Sequence, residues 1–313
     1  MFPVAEMKNL TRLIHLVSLK LNLDDIAAII CPWIPIARKL IPEPWEYPKG
    51  TIKRVVRKKI TLDLDVSHYM QWFEYAQLPD LSTSYLGNLL IPGSNPKIII
   101  DIGANIGSFT IRLAHILKEA GVPYQILSIE PNPEIYKQLV HNLSINTSIS
   151  DHVYCLERAA GDSNTSVEFD LSTSNSGNSK VIIRKEHMTN ESSMIVPQIT
   201  IDSLWQDFKL QSIECIKIDV EGYEPFVIDG AKQSIARFNP ILYIEITPKW
   251  FTERGRTWND LFMFLTSREY KIYYDHGQKL EEMLSSCSVE KFQYNVLALT
   301  RKYSTERIIE YIK

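Results

Sequence analysis

Apolar positions along this chain occur either in short runs typical of strands or at the spacing typical of helices. The order in which these two patterns alternate indicates how the chain is organised. From Lys97 onward, apolar runs of strand length alternate with segments whose apolar residues recur at helical spacing. The predicted order is a strand ending at Asp101, a helix over Ser108–Lys118, a strand over Gln125–Glu130 and a helix over Pro133–Asn142. Strands that alternate with helices in this way indicate an α/β fold with a parallel sheet.

Further strand patterns follow in the second half of the chain. The predicted strands are Val153–Leu156, Val167–Leu171, Val181–Ile183, an alternating segment within Cys215–Glu224, Ile241–Ile246, Lys271–Asp275 and Asn295–Thr300. A Ser/Asn/Gly-rich loop, Ser172–Ser179, joins the second and third of these strands into a predicted hairpin. The loop is either a passive connection or a lid over the acceptor site.

The first ninety residues have a different pattern of apolar residues and prolines from the rest of the chain. Apolar residues recur at helical spacing from Leu10 to Leu21, and five prolines follow between positions 32 and 48. This pattern predicts a helical extension and linker over residues 1–90, with a short strand at Ile60–Val66, before a domain over residues 91–313. We expect the apolar stripe, Leu10, Leu13, Ile14, Val17 and Leu21, to pack on its own domain. Dimerisation, substrate gating and contact with a membrane surface are the alternatives.

A cluster of basic residues precedes the predicted strand at Ile60. Such a run is usually a solvated face, and binding of an anionic substrate such as a phosphorylated or lipid-linked glycan is the alternative. The cluster consists of Lys49, Lys53, Arg54, Arg57, Lys58 and Lys59.

Composition narrows the classes of protein that fit. The 313 residues are 45% hydrophobic and carry a formal net charge of −3, which argues against a nucleic-acid partner. The cysteines form no C-x-x-C pair, no cleavable signal sequence is recognised, and no apolar run reaches the length of a membrane span. We therefore expect a cytoplasmic protein with reduced cysteines, Cys31, Cys155, Cys215 and Cys287.

A glycine loop directly after the first predicted strand is the strongest sign of a ligand site. Gly103 and Gly107 follow Asp101 with a spacing that differs from the G-x-G-x-x-G of dinucleotide-binding proteins. A carboxylate beside the loop suits the cationic sulfonium and ammonium groups of S-adenosylmethionine better than phosphates. Glu130, at the tip of the next strand, is placed to accept hydrogen bonds from two ribose hydroxyls.

Charged residues also interrupt two later apolar strands. Lys217, Asp219 and Glu221 share one side of a predicted strand, and Glu245 lies in the next one. Ligands of open α/β sheets bind at the carboxyl ends of the strands, so one crevice is expected to hold these side chains. The histidines show no metal-ligand spacing.

The order of these motifs resembles the FkbM-type methyltransferases, which depend on S-adenosylmethionine and mostly methylate hydroxyl oxygens of sugars and other natural products. The resemblance covers about Ile98 to Glu245. It rests on D-I-G-A-N-I-G-S-F-T from Asp101, E-P-N-P from Glu130, the loop Ala159–Asp162, T-I-D-S-L from Thr200, and K-I-D-V-E-G from Lys217.

The resemblance implies a class I methyltransferase fold, a Rossmann-like sheet of seven strands with helices on both faces, whose last two strands form an antiparallel pair. It places the amino-acid end of the cofactor against the glycine loop, its ribose on Glu130 and its base near Ala159. Asp219 then faces the methyl group. The implied cofactor-binding residues are Asp101, Gly103, Ala104, Asn105, Gly107, Ser108, Glu130, Pro131, Asn132, Ala159, Asp162 and Asp219.

Methyl transfer to oxygen requires an aligned acceptor and removal of its proton. We expect Asp219 to orient or deprotonate the acceptor, with Glu221 and Glu245 as alternates and Lys217 setting the local charge. No metal is assigned, although clustered carboxylates could instead bind Mg²⁺. The acceptor is expected to be a small molecule or a glycan.

Three other classes of protein stay open from the sequence. One is a non-catalytic scaffold that binds S-adenosylmethionine, and another is a nicotinamide-dependent oxidoreductase, which needs pyrophosphate glycines that this loop lacks. The third is a methyltransferase with a nitrogen or nucleic-acid acceptor, which the charge disfavours. Peripheral membrane contact and a homodimer are left open by the same patterns.

Overall fold

The structure is a computed structural model that describes residues 4–30, 34–76, 82–93, 95–170, 180–181, 193–253, 255–277, 279–284, 293–303, 305–309 and 311–312. Backbone contacts divide the chain into two compact units, one within residues 1–80 and the other within residues 81–313. The domain division at residue 90 stays a prediction.

The first unit combines helices with one β-hairpin. Its helices are α1 (Val4–Leu21), α2 (Leu23–Ile30) and α3 (Tyr69–Ala76), with two short 3₁₀ helices, Pro35–Leu40 and Pro44–Glu46. Strands β1 (Ile52–Arg57) and β2 (Ile60–Asp65) pair in antiparallel register, so the strand predicted at Ile60 is present. Lys58 and Lys59 form their two-residue turn with φ of 49° and 67°, the left-handed conformations that a tight hairpin turn requires.

The apolar stripe of α1 does not pack on the unit as expected. Leu13, Ile14, Val17 and Leu21 are exposed, whereas His15 and Ser18 are buried. His15 Nδ1 lies 2.5 Å from a carboxylate oxygen of Glu46, and the Ser18 hydroxyl donates to the Leu40 carbonyl at 2.6 Å, which explains how polar side chains are accommodated inside. The side chain of Leu10 lies outside the described part of the structure.

The basic cluster is only partly a solvated face. Lys49, Lys58 and Lys59 are exposed. In contrast, Lys53 forms ion pairs with Asp24 and Asp25, Arg54 pairs with Asp63, and Arg57 donates to the backbone carbonyls of Ala28, Glu74 and Tyr75. Lys53, Arg54 and Arg57 therefore have structural partners within their own unit.

The second unit is built around an eight-stranded sheet. Its strands are β3 (Lys97–Ile102), β4 (Tyr124–Ile129), β5 (Val153–Leu156), β10 (Cys215–Ile218), β11 (Ile241–Ile246), β12 (Lys271–Asp275), β13 (Leu280–Glu282) and β14 (Tyr294–Leu299). They lie in the order β13-β12-β14-β11-β10-β3-β4-β5. The five strands from β11 to β5 are parallel, and β14 runs antiparallel to both β11 and β12.

This topology confirms the predicted class I methyltransferase fold with its antiparallel terminal strands. The strand count is eight instead of seven, because the short edge strand β13 pairs with β12. All six residues of β3 and all six of β11 are buried, as expected for strands covered on both faces.

Helices cover the sheet and begin at sequence signals that can be recognised. They are α4 (Ser82–Leu90), α5 (Ser108–Glu119), α6 (Pro133–Ser144), α7 (Thr147–Ser150), α8 (Ile201–Asp207), α9 (Glu224–Asp229), α10 (Lys232–Phe238), α11 (Pro248–Glu253) and α12 (Trp258–Thr266). At α6, the Asn132 side chain accepts a hydrogen bond from the Glu134 amide and Pro133 occupies the first helical position.

A second, smaller sheet accommodates the insertion between β5 and β10. It contains β6 (Ala159–Ala160), β7 (Ser166–Asp170), β8 (Lys180–Val181) and β9 (Ser193–Ile199), in the order β6-β9-β7-β8. The predicted hairpin of β7 and β8 is present, and β9 is an additional partner of β7. The loop Ser172–Ser179 lies outside the described residues, so its role as a lid or a connection stays a prediction.

Two chain-wide expectations concern cysteines and membrane spans. Cys155 and Cys215 are free thiols, while Cys31 and Cys287 lie outside the described residues. None of the helices in the described part of the chain combines the length and apolar character needed to cross a membrane.

Candidate active site

The candidate site includes residues that lie opposite one another on three neighbouring strands of the sheet. Asp101 on β3 lies opposite Lys217 on β10, which in turn lies opposite Tyr243 on β11. Residues directly opposite each other on paired strands share one face of the sheet. The Nζ atom of Lys217 is 3.6 Å from Oδ1 of Asp101 and 3.0 Å from Oδ2 of Asp219, which follows β10. The structure therefore brings three of the predicted site residues together.

Lys217 is a buried cation between two carboxylates. Burial lowers the pKa of its ammonium group, but the carboxylates of Asp219 and Asp101 outweigh that effect and raise the pKa above its ordinary value. Its Nζ also lies 5.5 Å from the centre of the Phe109 ring, within the range of a cation–π contact. The side chain therefore stays protonated and holds a positive charge beside Asp219.

Asp101 is fully enclosed by protein. Its Oδ2 accepts a hydrogen bond of 2.6 Å from the Thr110 hydroxyl, which is also 2.7 Å from the hydroxyl of Ser128. Burial raises the pKa of Asp101, and the charge of Lys217 opposes that shift. The contacts of Asp101 are therefore with Thr110, which lies on α5 after the glycine loop, and with Lys217. Its contact with a cofactor stays a prediction.

At Gly103, the glycine loop packs closely against the backbone at the end of β10. Its φ is 76°, and a Cβ atom placed on it would lie 1.8 Å from the backbone carbonyl oxygen of Asp219. No side chain fits at this distance, and an L-residue would also be strained at this φ. The absence of a side chain at Gly103 therefore lets the loop before α5 lie directly against the residue expected to face the acceptor.

The amides of the glycine loop are already occupied by protein acceptors. The first two donate to the Ile129 carbonyl, the third to the Glu130 carboxylate, the fourth to the Asn105 side chain and the fifth to the Ala104 carbonyl. The five donors are Gly103, Ala104, Asn105, Ile106 and Gly107. Dinucleotide-binding loops direct backbone amides at a pyrophosphate. This loop has no such amide left within residues 103–107.

Glu130 is held in place by two backbone amides. Its Oε2 accepts from the Asn105 amide and its Oε1 from the Asn132 amide, each at 2.9 Å. Each carboxylate oxygen has a second lone pair that can accept a hydroxyl proton, as the predicted ribose contact requires. Burial raises the pKa of Glu130 to about 7, with the two amide hydrogen bonds opposing the shift.

The segment after Asp219 is shaped by Glu224, a residue that the sequence analysis gave no role. Glu221 has a φ of 53° and Gly222 a φ of 90°, so the chain turns sharply here. The buried Glu224 Oε1 accepts from the amides of Val220 and Gly222 at 3.1 and 3.0 Å. Burial raises the pKa of Glu224 to about 7. A search for a carboxylate at the first position of α9 could have identified this contact.

Three carboxylates converge beyond the Lys217 pair. Oxygen atoms of Asp219, Glu221 and Glu245 all lie within 4.8 Å of one another. Glu245 is buried, and Oε1 accepts a hydrogen bond from the Gln293 amide group. Burial and then the neighbouring carboxylates raise the pKa of Glu245 to about 10, so its carboxyl group is protonated near neutral pH.

The same cluster is the group of side chains that could hold a metal. Oxygens at these separations can share one divalent cation. A cation would have to displace the proton of Glu245, whereas the proton alone already relieves the repulsion among the carboxylates. The assignment of no metal stays a prediction.

The remaining predicted cofactor residues lie at the edges of this arrangement. Ser108 begins α5 after the glycine loop, and Pro131 lies in the sequence between Glu130 and Asn132. Ala159 is buried in β6 and pairs with Gln198, whereas Asp162 is exposed. The roles proposed for Ala159 and Asp162 in binding the base stay predictions.

The sheet order and the position of the glycine loop define a class I methyltransferase fold. The chain belongs to the FkbM methyltransferase family, because the family described as "Methyltransferase FkbM domain" matches residues 101–272, more than half of the sequence.

Several solved structures match this chain at low sequence identity. The FkbM methyltransferase of Methylobacillus flagellatus KT shares 18% identity at a TM-score of 0.43, with 73% of this chain and 52% of that chain covered. TYW2 of M. jannaschii, in complex with AdoMet, shares 15% identity at a TM-score of 0.39, with 80% and 86% covered. M. capricolum TrmK, in complex with S-adenosyl-homocysteine, shares 9% identity at a TM-score of 0.36, with 74% and 70% covered.

These similarities have a limited reach. At these TM-scores they carry no argument about this chain, which spans about half the length of the Methylobacillus protein. None of the curated proteins matches the sequence.

Proposed function

We propose that this protein transfers the methyl group of S-adenosylmethionine to a hydroxyl oxygen of a sugar, glycan or other natural-product acceptor. The observation that carries the proposal is the pairing of Asp219 with the buried cation Lys217 directly against the glycine loop. Membership of the FkbM family supports it. When bound, S-adenosylmethionine supplies an electrophilic methyl group on a sulfonium.

The chain's own residues fit that cofactor better than a dinucleotide. The glycine-loop amides are engaged within the protein, so they offer no donors to a pyrophosphate. Glu130 keeps lone pairs for ribose hydroxyls, and the partly exposed carboxylate of Asp219 suits a cationic ligand.

Asp219 is the residue that we assign to the acceptor. Its side chain is 40% exposed, whereas its partner Lys217 is buried, so Asp219 is accessible to a ligand. Its carboxylate can accept the proton of an acceptor hydroxyl and orient the acceptor oxygen, and Lys217 Nζ lies 3.0 Å from its Oδ2. Glu245 is less suited to this role because its carboxyl group already holds a proton. Glu221 remains the alternate base.

Calorimetry with S-adenosylmethionine and with NAD is the first test. We expect the native chain to bind S-adenosylmethionine and not NAD. Methyl transfer to a panel of sugar and natural-product hydroxyls is then expected to fall by about 10² to 10⁴ in kcat for Asp219→Asn. Binding of NAD, or of neither ligand, would overturn the proposal.

Two further measurements separate the remaining alternatives. Binding without turnover on any acceptor in the panel would indicate a non-catalytic scaffold, and turnover on nitrogen or RNA acceptors would replace the hydroxyl assignment. We also expect EDTA to leave kcat unchanged, since the proposed base is a carboxylate. Loss of turnover with EDTA and its recovery with Mg²⁺ would assign the carboxylate cluster to a metal instead.

A further inference from the structure

Helix α1 presents its apolar stripe to solvent instead of to the protein. Leu13, Leu16, Val17 and Leu21 are 56%, 50%, 44% and 62% exposed. They are spaced by three, four and eight residues from the first, which places them on one face of the helix. The residues that α1 buries include the polar Ser18, whose hydroxyl is satisfied by a backbone carbonyl.

Helix α2, which packs on α1 within the same unit, repeats this arrangement. Ile26 and Ile29 are exposed, while Asp24 is completely buried and receives hydrogen bonds from Tyr47 and an ion pair from Lys53. Six of the exposed aliphatic residues of the two helices are referred to below as the amphipathic surface: Leu13, Leu16, Val17, Leu21, Ile26 and Ile29. Exposed aliphatic residues in such number are characteristic of an interaction site.

The exposed charges of this segment are predominantly basic. Arg12 and Lys20 on α1 and Lys39 in the 3₁₀ helix are exposed. Over residues 11–30 and 34–41 the acidic side chains are Asp24, which is buried, and Asp25, whose side chain is 45% exposed and forms an ion pair with Lys53. These two described stretches therefore carry an excess of exposed basic charge.

We propose that the first unit binds the surface of an anionic lipid bilayer through the amphipathic surface. The described helices do not meet the requirements for a membrane span, which fits a helix lying in the plane of the interface. Aliphatic side chains enter the boundary between headgroups and acyl chains, and long basic side chains reach the anionic headgroups. The positive charge beside the apolar stripe favours lipid over a second copy, whose identical surface would place like charges together. This inference does not depend on the methyl-transfer proposal.

Vesicle co-sedimentation of the full chain tests the proposal. We expect the native chain to sediment with phosphatidylcholine vesicles containing about 30% phosphatidylserine, and only weakly with phosphatidylcholine alone. Lys20→Gln with Lys39→Gln should lower partitioning about 30-fold, at about fivefold or slightly more per charge. The triple variant Leu13→Gln, Leu16→Gln, Leu21→Gln should lower it at least about tenfold, since it removes aliphatic area from the interface.

The matched control replaces two exposed aliphatic residues of the second unit, Met263→Gln and Leu284→Gln, and should bind vesicles as the native chain does. Circular dichroism checks that each variant is folded. Failure of the native chain to bind anionic vesicles, or equal binding by the triple variant, would overturn the proposal. Sedimentation velocity without lipid tests whether a second copy of the chain binds the amphipathic surface instead. If the native chain is a dimer, the triple variant is a monomer and neither binds vesicles, the surface is a dimer interface and the proposal is overturned.

Discussion

Replacement of Glu224 by glutamine should make the protein more stable at alkaline pH. A single oxygen of Glu224, Oε1, accepts both loop amides, and its Oε2 is buried with no hydrogen-bond partner in the described part of the chain. A glutamine side chain can place its carbonyl oxygen where Oε1 lies and its amide group where Oε2 lies, so both accepted hydrogen bonds are kept. The substitution removes mainly the ability to ionise.

The size and sign of the effect follow from the pKa of Glu224. Burial raises it from 4.5 to about 7. A carboxyl group with a raised pKa stabilises the fold fully below its unfolded pKa and loses that contribution as pH rises through the folded pKa. At roughly 1.36 kcal/mol per pH unit, the native chain loses about 3 kcal/mol between pH 4.5 and pH 7 through this group. Glu224→Gln avoids that loss, so the variant and the native chain should differ by about 3 kcal/mol at pH 8 and little at pH 4.5.

Urea unfolding of both chains at several pH values between 4.5 and 8 measures this difference. Glu130 also has a raised pKa but is present in both chains, so its contribution largely cancels. The charge of Glu224 helps to raise the pKa of Glu245, so that share is part of the measured difference. Glu224→Leu is the matched control, because it leaves two buried amides without an acceptor and should be less stable by about 3 kcal/mol at pH 4.5. A stability difference between Glu224→Gln and the native chain that does not change with pH would refute the reasoning.

Three further predictions concern the loop, the cofactor site and the first unit. Glu130→Ala should weaken S-adenosylmethionine binding at least about tenfold in calorimetry through lost hydrogen bonds, while exposed Glu134→Ala should not; equal affinities would contradict the ribose assignment. Gly103→Ala should lower the free energy of unfolding by at least about 2 kcal/mol in urea and abolish cofactor binding, because its Cβ has no space; a native-like variant would disprove the close packing. Arg57→Gln should cost about 3 kcal/mol of unfolding free energy, since Arg57 donates to three backbone carbonyls, against less than about 0.5 kcal/mol for exposed Lys58→Gln; similar losses would show that these hydrogen bonds contribute little.

The strands and helices of the second unit could be predicted because each is marked by apolar runs or periodicity within a short segment of the sequence. The strand Val153–Leu156 and the strand Ile241–Ile246 have the bounds that alternation and apolar runs indicated. The edge strand Leu280–Glu282 was missed, since three residues with two exposed charges carry little periodicity. The helix over α1 was predicted, but periodicity shows only which residues share a face and not whether that face is covered. The expected packing of Leu13 and Val17 was therefore wrong.

The candidate site was predicted only where its contacts join residues that are close in the sequence. Lys217 lies on β10 and Asp219 directly follows this strand two residues later, so their pairing was visible in the alternation. The contact of Glu245 with Gln293 joins residues 48 positions apart, and the strand order that creates it is not encoded in any short segment. The proton held by Glu245 likewise depends on burial and on its neighbours in space, neither of which a sequence pattern provides.

The contact between Gly103 and the Asp219 carbonyl affects how the acceptor range of this protein could be altered by directed evolution. The glycine loop and the segment after β10 touch backbone to backbone, so neither can shift without moving the other. Libraries that randomise either segment should therefore consist mainly of variants with impaired cofactor binding. Acceptor preference is better varied at side chains that border the exposed edge of Asp219 and leave both backbones unchanged.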